Sequence, residues 1–311
     1  MSQWQSSISC TRSGTRTSVG FSAIEKHWRI EARIGLMVVM LQKLKNDVSG
    51  VLVTLIPQWE RMGNRIYIIT FTKPKQNRAK YSSPYEVRRA QELNNLLGLK
   101  GSTDATDMIC DLHNTTSNMG LTLIRYTSSD WVTLHICKYL QTKITKVPVR
   151  VLVLDVPISD AHNLESVSKH GFTLEIGPQP HGVVRADIYI IMKEAVDLTI
   201  DWIHKFNSGT VFEGGDVEAF KFIKSVDYPR DPETRTLTAA IHPQLQDRDF
   251  CLLKQGDPLF FKFSGETVKY EEEETLHPFF INEAAYYEKG IAFHLGKKLT
   301  LKIPTVQVQK D

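Results

Sequence analysis

Two rhythms of apolar residues alternate along this chain. Met37–Leu41, Met108–Leu112, Val149–Val156 and Phe172–Ile176 are short, buried-looking runs of strand length. Between them, helical spacing recurs. Val87, Ala90, Leu93, Leu96 and Leu97 follow Ser82-Ser83-Pro84, where serine supplies an N-cap and proline suits the first turn, and Gly98 stops the run. Trp131–Leu140 and Ala186–Phe206 read the same way, the second closing at Asn207-Ser208-Gly209. A further apolar run, Val48–Ile56, ends at Pro57, and residues 58–83 show a poor pattern with scattered basic residues. Strands alternating with helices predict a largely parallel sheet flanked by helices. After Gly209, glycine and proline turns punctuate short strands at 217–226, 258–264, 266–270, 277–281 and 299–303, which predicts a second, mostly β unit.

Composition narrows the partners. The 311 residues are 41% hydrophobic and 23% charged, ordinary globular values with ample material for a core. Lysine plus arginine total 38 against 35 acids, a formal charge of +3, and no acid precedes Glu25. The body is therefore close to neutral, which speaks against nucleic acid or an anionic membrane as partner. The four cysteines are far apart, so neither a disulfide framework nor a cysteine zinc site is expected. The apolar run at Leu36–Leu41 is far short of the ~20 residues that span a bilayer. A soluble, intracellular protein is the expectation.

Two polar residues stand out against apolar surroundings. His113 follows the run ending at Leu112, at the strand end where open α/β sheets gather ligands. A histidine there can bind a metal, act as a base or cap a turn. Glu175 interrupts Phe172–Ile176 just before Gly177-Pro178, and burying a carboxylate demands partners or a polar cleft. Together they suit a hydrolase in which a metal acidifies water and the carboxylate takes the proton. No G-x-S-x-G elbow, P-loop or H-E-x-x-H helix is present.

Longer segments then become recognisable. Pro84–Asn94, Asp111–Gly120 (DLHNTTSNMG), Glu175–Asp187 (EIGPQPHGVVRAD) and Asn282–Gly290 (NEAAYYEKG) resemble the aspartoacylase family of zinc-dependent amidohydrolases. Ile241–Phe250 and Phe263–Glu266 resemble its type III aminoacylase branch, which deacylates N-acyl aromatic amino acids. The resemblance implies an α/β fold, a zinc-carboxypeptidase-like mixed sheet flanked by helices, plus a smaller C-terminal mostly β domain. It divides the chain into an unstructured extension over 1–33, a hydrolase-like domain over 34–209 (34–83 divergent) and a β domain over 210–311. It implies one zinc per subunit with His113 as a ligand, Glu175 as the base that activates water, and Tyr286 as a substrate contact. N-acylated amino acids, N-acetylated cysteine conjugates among them, would be the small-molecule substrates. A cytoplasmic protein, peripheral at the apical membrane in some relatives, and a homo-oligomer are further expectations of the same kind. Glu165, ten positions before Glu175, stands where aspartoacylase has an arginine for the substrate's side-chain carboxylate. An acid there would repel N-acetylaspartate; otherwise Glu165 is an ordinary surface acid.

The amino-terminal third departs from the family pattern. G-G-T-H-G-N-E is expected near Met37–Val51, and the surviving Asn46–Val51 sets a register that puts Asp47 at the glutamate ligand and Leu44 at the histidine ligand. Leucine cannot bind zinc, so Asp47 and His113 remain as a weak, two-ligand site. The family's substrate-binding D-L-N-R element survives as Asn64-Arg65. A decayed gene copy and a misassembled coding sequence would both leave this pattern. A non-catalytic relative with the same fold is the rival reading.

Overall fold

The apolar runs become the strands of one large sheet. The computed structural model describes residues 27–30, 36–40, 85–97, 99–157, 160–161, 163–180 and 183–308. Asp47, Asn64, Arg65 and Leu44, together with the Val48–Ile56 run, lie outside them. In chain order the elements are β1 (His27–Ile30), β2 (Leu36–Met40), α1 (Tyr85–Leu96), β3 (Met108–Asn114), β4 (Gly120–Arg125), α2 (Trp131–Lys143), β5 (Val149–Val153), β6 (His170–Gly177) and α3 (Ala186–Asn207). Then follow β7 (Gly215–Val226), β8 (Ala239–Ile241), β9 (Pro258–Lys262), β10 (Thr267–Lys269), β11 (His277–Phe279), β12 (Phe293–Ile303) and β13 (Thr305–Val308). Single 3-10 turns occupy Leu164–Val167 and Ala284–Lys289.

Eight strands form a mixed sheet in the order β11-β12-β7-β5-β4-β6-β3-β2. The pairs β2/β3, β3/β6, β4/β5 and β5/β7 are parallel, whereas β4 runs antiparallel to β6. The sheet is thus less parallel than strand–helix alternation suggests, because β4 follows β3 after a short polar loop rather than a crossover helix. That strand was not read from the sequence. Residues 210–311 add β7, β12 and β11 to this same sheet and build a second, three-stranded one, β10-β9-β8. The latter closes over its own core of Tyr228, Ile241, Leu259, Phe260 and Phe293. His27–Ile30, within the segment expected to be an unstructured extension, pairs in parallel with β13.

Helices α2 and α3 cover one face of the large sheet. Val132, Ile136 and Leu140 of α2 and Ile188, Met192 and Trp202 of α3 share a single buried core with Met108, Cys110, Leu112, Phe172, Leu174 and Ile176. Asp130 caps α2 by accepting from the Thr133 N–H at 3.4 Å. Helix α1 packs elsewhere, with its Leu93 and, just beyond its end, Leu97 against Ile109, Leu164 and Val167. Because side chains alternate along a strand, Ile109, Asp111 and His113 point away from the α2–α3 side. This second face carries His113 and, on β6, Glu175.

Candidate active site

His113 lies one residue before the end of β3, inside the strand rather than in the loop beyond it. Its register partner across the parallel ladder is Glu175 of β6, and Glu175 in turn faces Thr122 of β4. The two residues singled out from the sequence are therefore adjacent and on one face. Gly177 lets the next loop close over them: a Cβ there would lie 2.2 Å from the Ser117 carbonyl and 2.6 Å from that of Thr115.

Asp111, two residues before His113 on the same face, accepts a hydrogen bond from His113 Nε2–H at 3.0 Å. That bond leaves Nδ1 as the nitrogen to meet a metal, and it is the arrangement by which carboxylates orient histidine ligands. Burial alone would push this imidazole down, but Asp111, then Glu175 and Glu165, hold it up at about 10. The His113 side chain is 36% exposed and Asp111 only 2%. Glu175 is 7% exposed. Burial pushes its carboxyl up to about 8, against the pull of His113 and with Glu283 and Asp111 adding to the rise.

Glu165 is not a surface acid. It is 1% exposed, and its Oε1 accepts from the Tyr126 hydroxyl at 3.0 Å and the Thr173 hydroxyl at 2.8 Å. The 3-10 turn that carries it presses on β6 at Gly171, where a Cβ would meet the Glu165 carbonyl at 2.2 Å. Burial, followed by the neighbouring Asp111, raises its carboxyl to about 7. Asp111 Oδ1, Glu165 Oε2 and Glu175 Oε1 are all buried without a hydrogen-bond partner among the described residues. Three carboxylates facing one imidazole make a region that favours added positive charge. That donor set fits one side of a zinc site: a histidine, its orienting carboxylate and a neighbouring base. Among the described residues no group of three or more His, Cys, Asp or Glu could hold an ion by itself.

Tyr286 comes from the other half of the chain, on the Ala284–Lys289 turn. Burial, then the charges of Glu175 and Glu283, pushes its phenol well above the usual range. Glu283 ties this turn to the loop after His113. Its Oε2 accepts from the Thr115 hydroxyl, from the Thr116 N–H at 2.8 Å and from the Thr116 hydroxyl at 3.0 Å, while Oε1 accepts from Ala285 N–H at 2.9 Å. Tyr287 instead stacks on Tyr228 at 5.1 Å, a packing role. Asp111 was legible in principle, since a strand places residue i and i+2 on one face. Glu283 had no local signal, because its partners are distant in sequence.

The succinylglutamate desuccinylase/aspartoacylase catalytic domain matches residues 64–203, and the AstE/AspA barrel-sandwich hybrid domain matches 215–298. The chain is 88% identical over 228 residues to N-acyl-aromatic-L-amino acid amidohydrolase (carboxylate-forming) A of Danio rerio, covering 73% of this chain and 70% of that protein. It is 47% identical over 238 residues to the Homo sapiens protein of the same description without the letter, covering 76% and 74%. The crystal structure of murine aminoacylase 3 matches with a TM-score of 0.76 at 35% identity, over 89% of this chain and 99% of that one. With both of its parts matched in order, and a relative this similar covered over most of its length, the chain belongs to the succinylglutamate desuccinylase/aspartoacylase family.

Proposed function

We propose that this chain is a zinc-dependent amidohydrolase that converts N-acyl aromatic L-amino acids, N-acetylated cysteine conjugates among them, to a carboxylate and a free amino acid. The observation that carries the reading is the pairing of His113 with Glu175 on one sheet face, with a Glu175 oxygen buried and unbonded among the described residues. The Danio rerio and Homo sapiens relatives are named as carboxylate-forming amidohydrolases of N-acyl aromatic L-amino acids.

His113 would hold the metal through Nδ1, with Asp111 keeping the ring oriented, and Asp47 would be a further ligand. The chemistry zinc supplies when bound is Lewis-acid polarisation of the amide carbonyl and acidification of water toward a pKa of ~7. Added positive charge beside Glu175 favours its carboxylate form, the form a base needs. Glu175 then takes the water proton and delivers it to the departing amine nitrogen. The Tyr286 phenol donates to the substrate as its carbonyl oxygen gains charge, and Asn64-Arg65 would hold the substrate carboxylate. The buried acid Glu165 disfavours a substrate with a second carboxylate.

Metal analysis of the purified chain, run beside deacetylation of N-acetyl-L-tyrosine, tests the proposal. Stoichiometric zinc with turnover supports it; neither would leave a non-catalytic relative, the reading favoured by Leu44 at the histidine-ligand position. Leu44→His is expected to raise zinc affinity, and unchanged affinity would mean that the register over Met37–Val51 is wrong. No helix among the described residues is long and apolar enough to cross a membrane.

A further inference from the structure

The ring of Tyr286 is held by other rings. Phe280 packs 5.5 Å away between centroids, His294 meets it edge-on at 5.4 Å, and the Lys289 ammonium lies 4.8 Å over its face. His294 is the common member of this cluster, since Phe222, Phe279 and Phe280 surround the same imidazole at 5.3, 5.5 and 6.1 Å. An aliphatic residue could fill that space. What the imidazole adds is an anchor on its outer side. His294 on β12 faces Ser225 on β7 in register, and its Nδ1 lies 2.8 Å from the Ser225 hydroxyl. A ring with one hydrogen bond fixed cannot turn freely about its terminal torsion. Burial, then the Lys289 charge, depresses the imidazole to about 4, so a neutral ring occupies the cluster at neutral pH.

Resting on the reading of Tyr286 as a substrate contact, we propose that His294 is a positioning residue for the deacylation. Its Ser225-anchored ring fixes the rotamer of Tyr286 before substrate arrives. A tyrosine that must be ordered on binding weakens affinity, and one already held in place does not.

Two measurements on the full chain test this. NMR of ring-labelled tyrosine, with the Tyr286 resonance assigned by Tyr286→Phe, reports the ring itself. Calorimetry with N-acetyl-L-tyrosine reports affinity. His294→Ala is expected to shift the Tyr286 resonance and weaken binding by about five- to tenfold, the size of one aromatic contact. His294→Phe, which returns a ring without the Ser225 anchor, should recover only a minor part of that loss, and full recovery would overturn the role given to the anchor. The double variant with Tyr286→Phe should bind no more weakly than Tyr286→Phe alone. An unmoved Tyr286 resonance in His294→Ala, or losses that simply add, overturns the proposal. Affinity unchanged by Tyr286→Phe overturns the substrate-contact reading and this proposal with it. That outcome differs from a failure of His294 alone, in which Tyr286→Phe weakens binding and His294→Ala does not.

Discussion

On the α2–α3 side of the large sheet, Met108, Cys110 and Leu112 lie beside Phe172, Leu174 and Ile176, none more than 3% exposed. On the opposite side, the intervening residues of the same two strands include Asp111, His113, Thr173 and Glu175. Each apolar side chain on the first face contributes about 1.5–3 kcal/mol by leaving water. On the second face, an unbonded buried oxygen costs about 1–3 kcal/mol. One face stabilises the strands and the other uses that stability to hold like charges together. The period-2 geometry of a strand makes this division possible, because no side chain has to serve both faces.

If the faces are separable, damage on one should leave the other intact. The largest effect is expected for Glu175→Ala, which should lower turnover of N-acetyl-L-tyrosine by about 10²–10⁴-fold. Its thermal midpoint should hold or rise, because a buried carboxylate is removed. Loss of both together would show that the faces depend on each other. Leu174→Ala is the converse experiment. A cavity beneath α2 and α3 should cost about 2–5 kcal/mol in denaturant unfolding, with the zinc content of the folded fraction unchanged.

The next effect concerns a second histidine–carboxylate pair. His170 Nδ1–H donates to Asp130 at 3.0 Å, at the opposite end of β6 from Glu175. Burial alone would raise the Asp130 carboxyl, but the His170 imidazolium and then Arg125 bring it down to about 2. Burial would lower His170, and Asp130 raises it instead. The Asp130 contribution is therefore present above the unfolded carboxyl value of ~3.9 and lost as pH falls through its depressed one. The His170 contribution is complete below the unfolded value of ~6.5 and lost as pH rises through its elevated one. His170→Asn should cost about 1–2 kcal/mol near pH 6, and the difference from the parent should shrink in alkaline solution. A pH-independent difference would mean that the pair acts only by packing. The smallest effect is expected for Glu165→Gln, within about 1 kcal/mol in thermal unfolding. A larger loss would show that the buried acid, not its hydrogen bonds to Tyr126 and Thr173, holds the 3-10 turn in place.

Some of this was readable from local pattern and some was not. The strands Met108–Asn114 and His170–Gly177 and the helices Trp131–Lys143 and Ala186–Asn207 lie within a few residues of where periodicity placed them. Glu175 was conspicuous because a carboxylate inside an apolar run needs a reason. Strand β4 was missed, since Gly120–Arg125 follows a polar loop without a helix to announce a new strand. The surface-acid alternative for Glu165 fails for a related reason. Its partners Tyr126 and Thr173 belong to other elements, and nothing near residue 165 reveals them.

Local sequence, through the spacing of apolar residues and the capping of helix ends, determined which segments extend and which coil, and it exposed His113 and Glu175 as misfits in apolar surroundings. Strand order decided the rest. Only when β6 lies between β3 and β4 does His113 come to face Glu175, and only when the Ala284–Lys289 turn docks on the loop after β3 does Glu283 tie the turn that carries Tyr286 to that loop. Those meetings join residues far apart in the chain. Loop closure and long-range packing set them, and no local period encodes either.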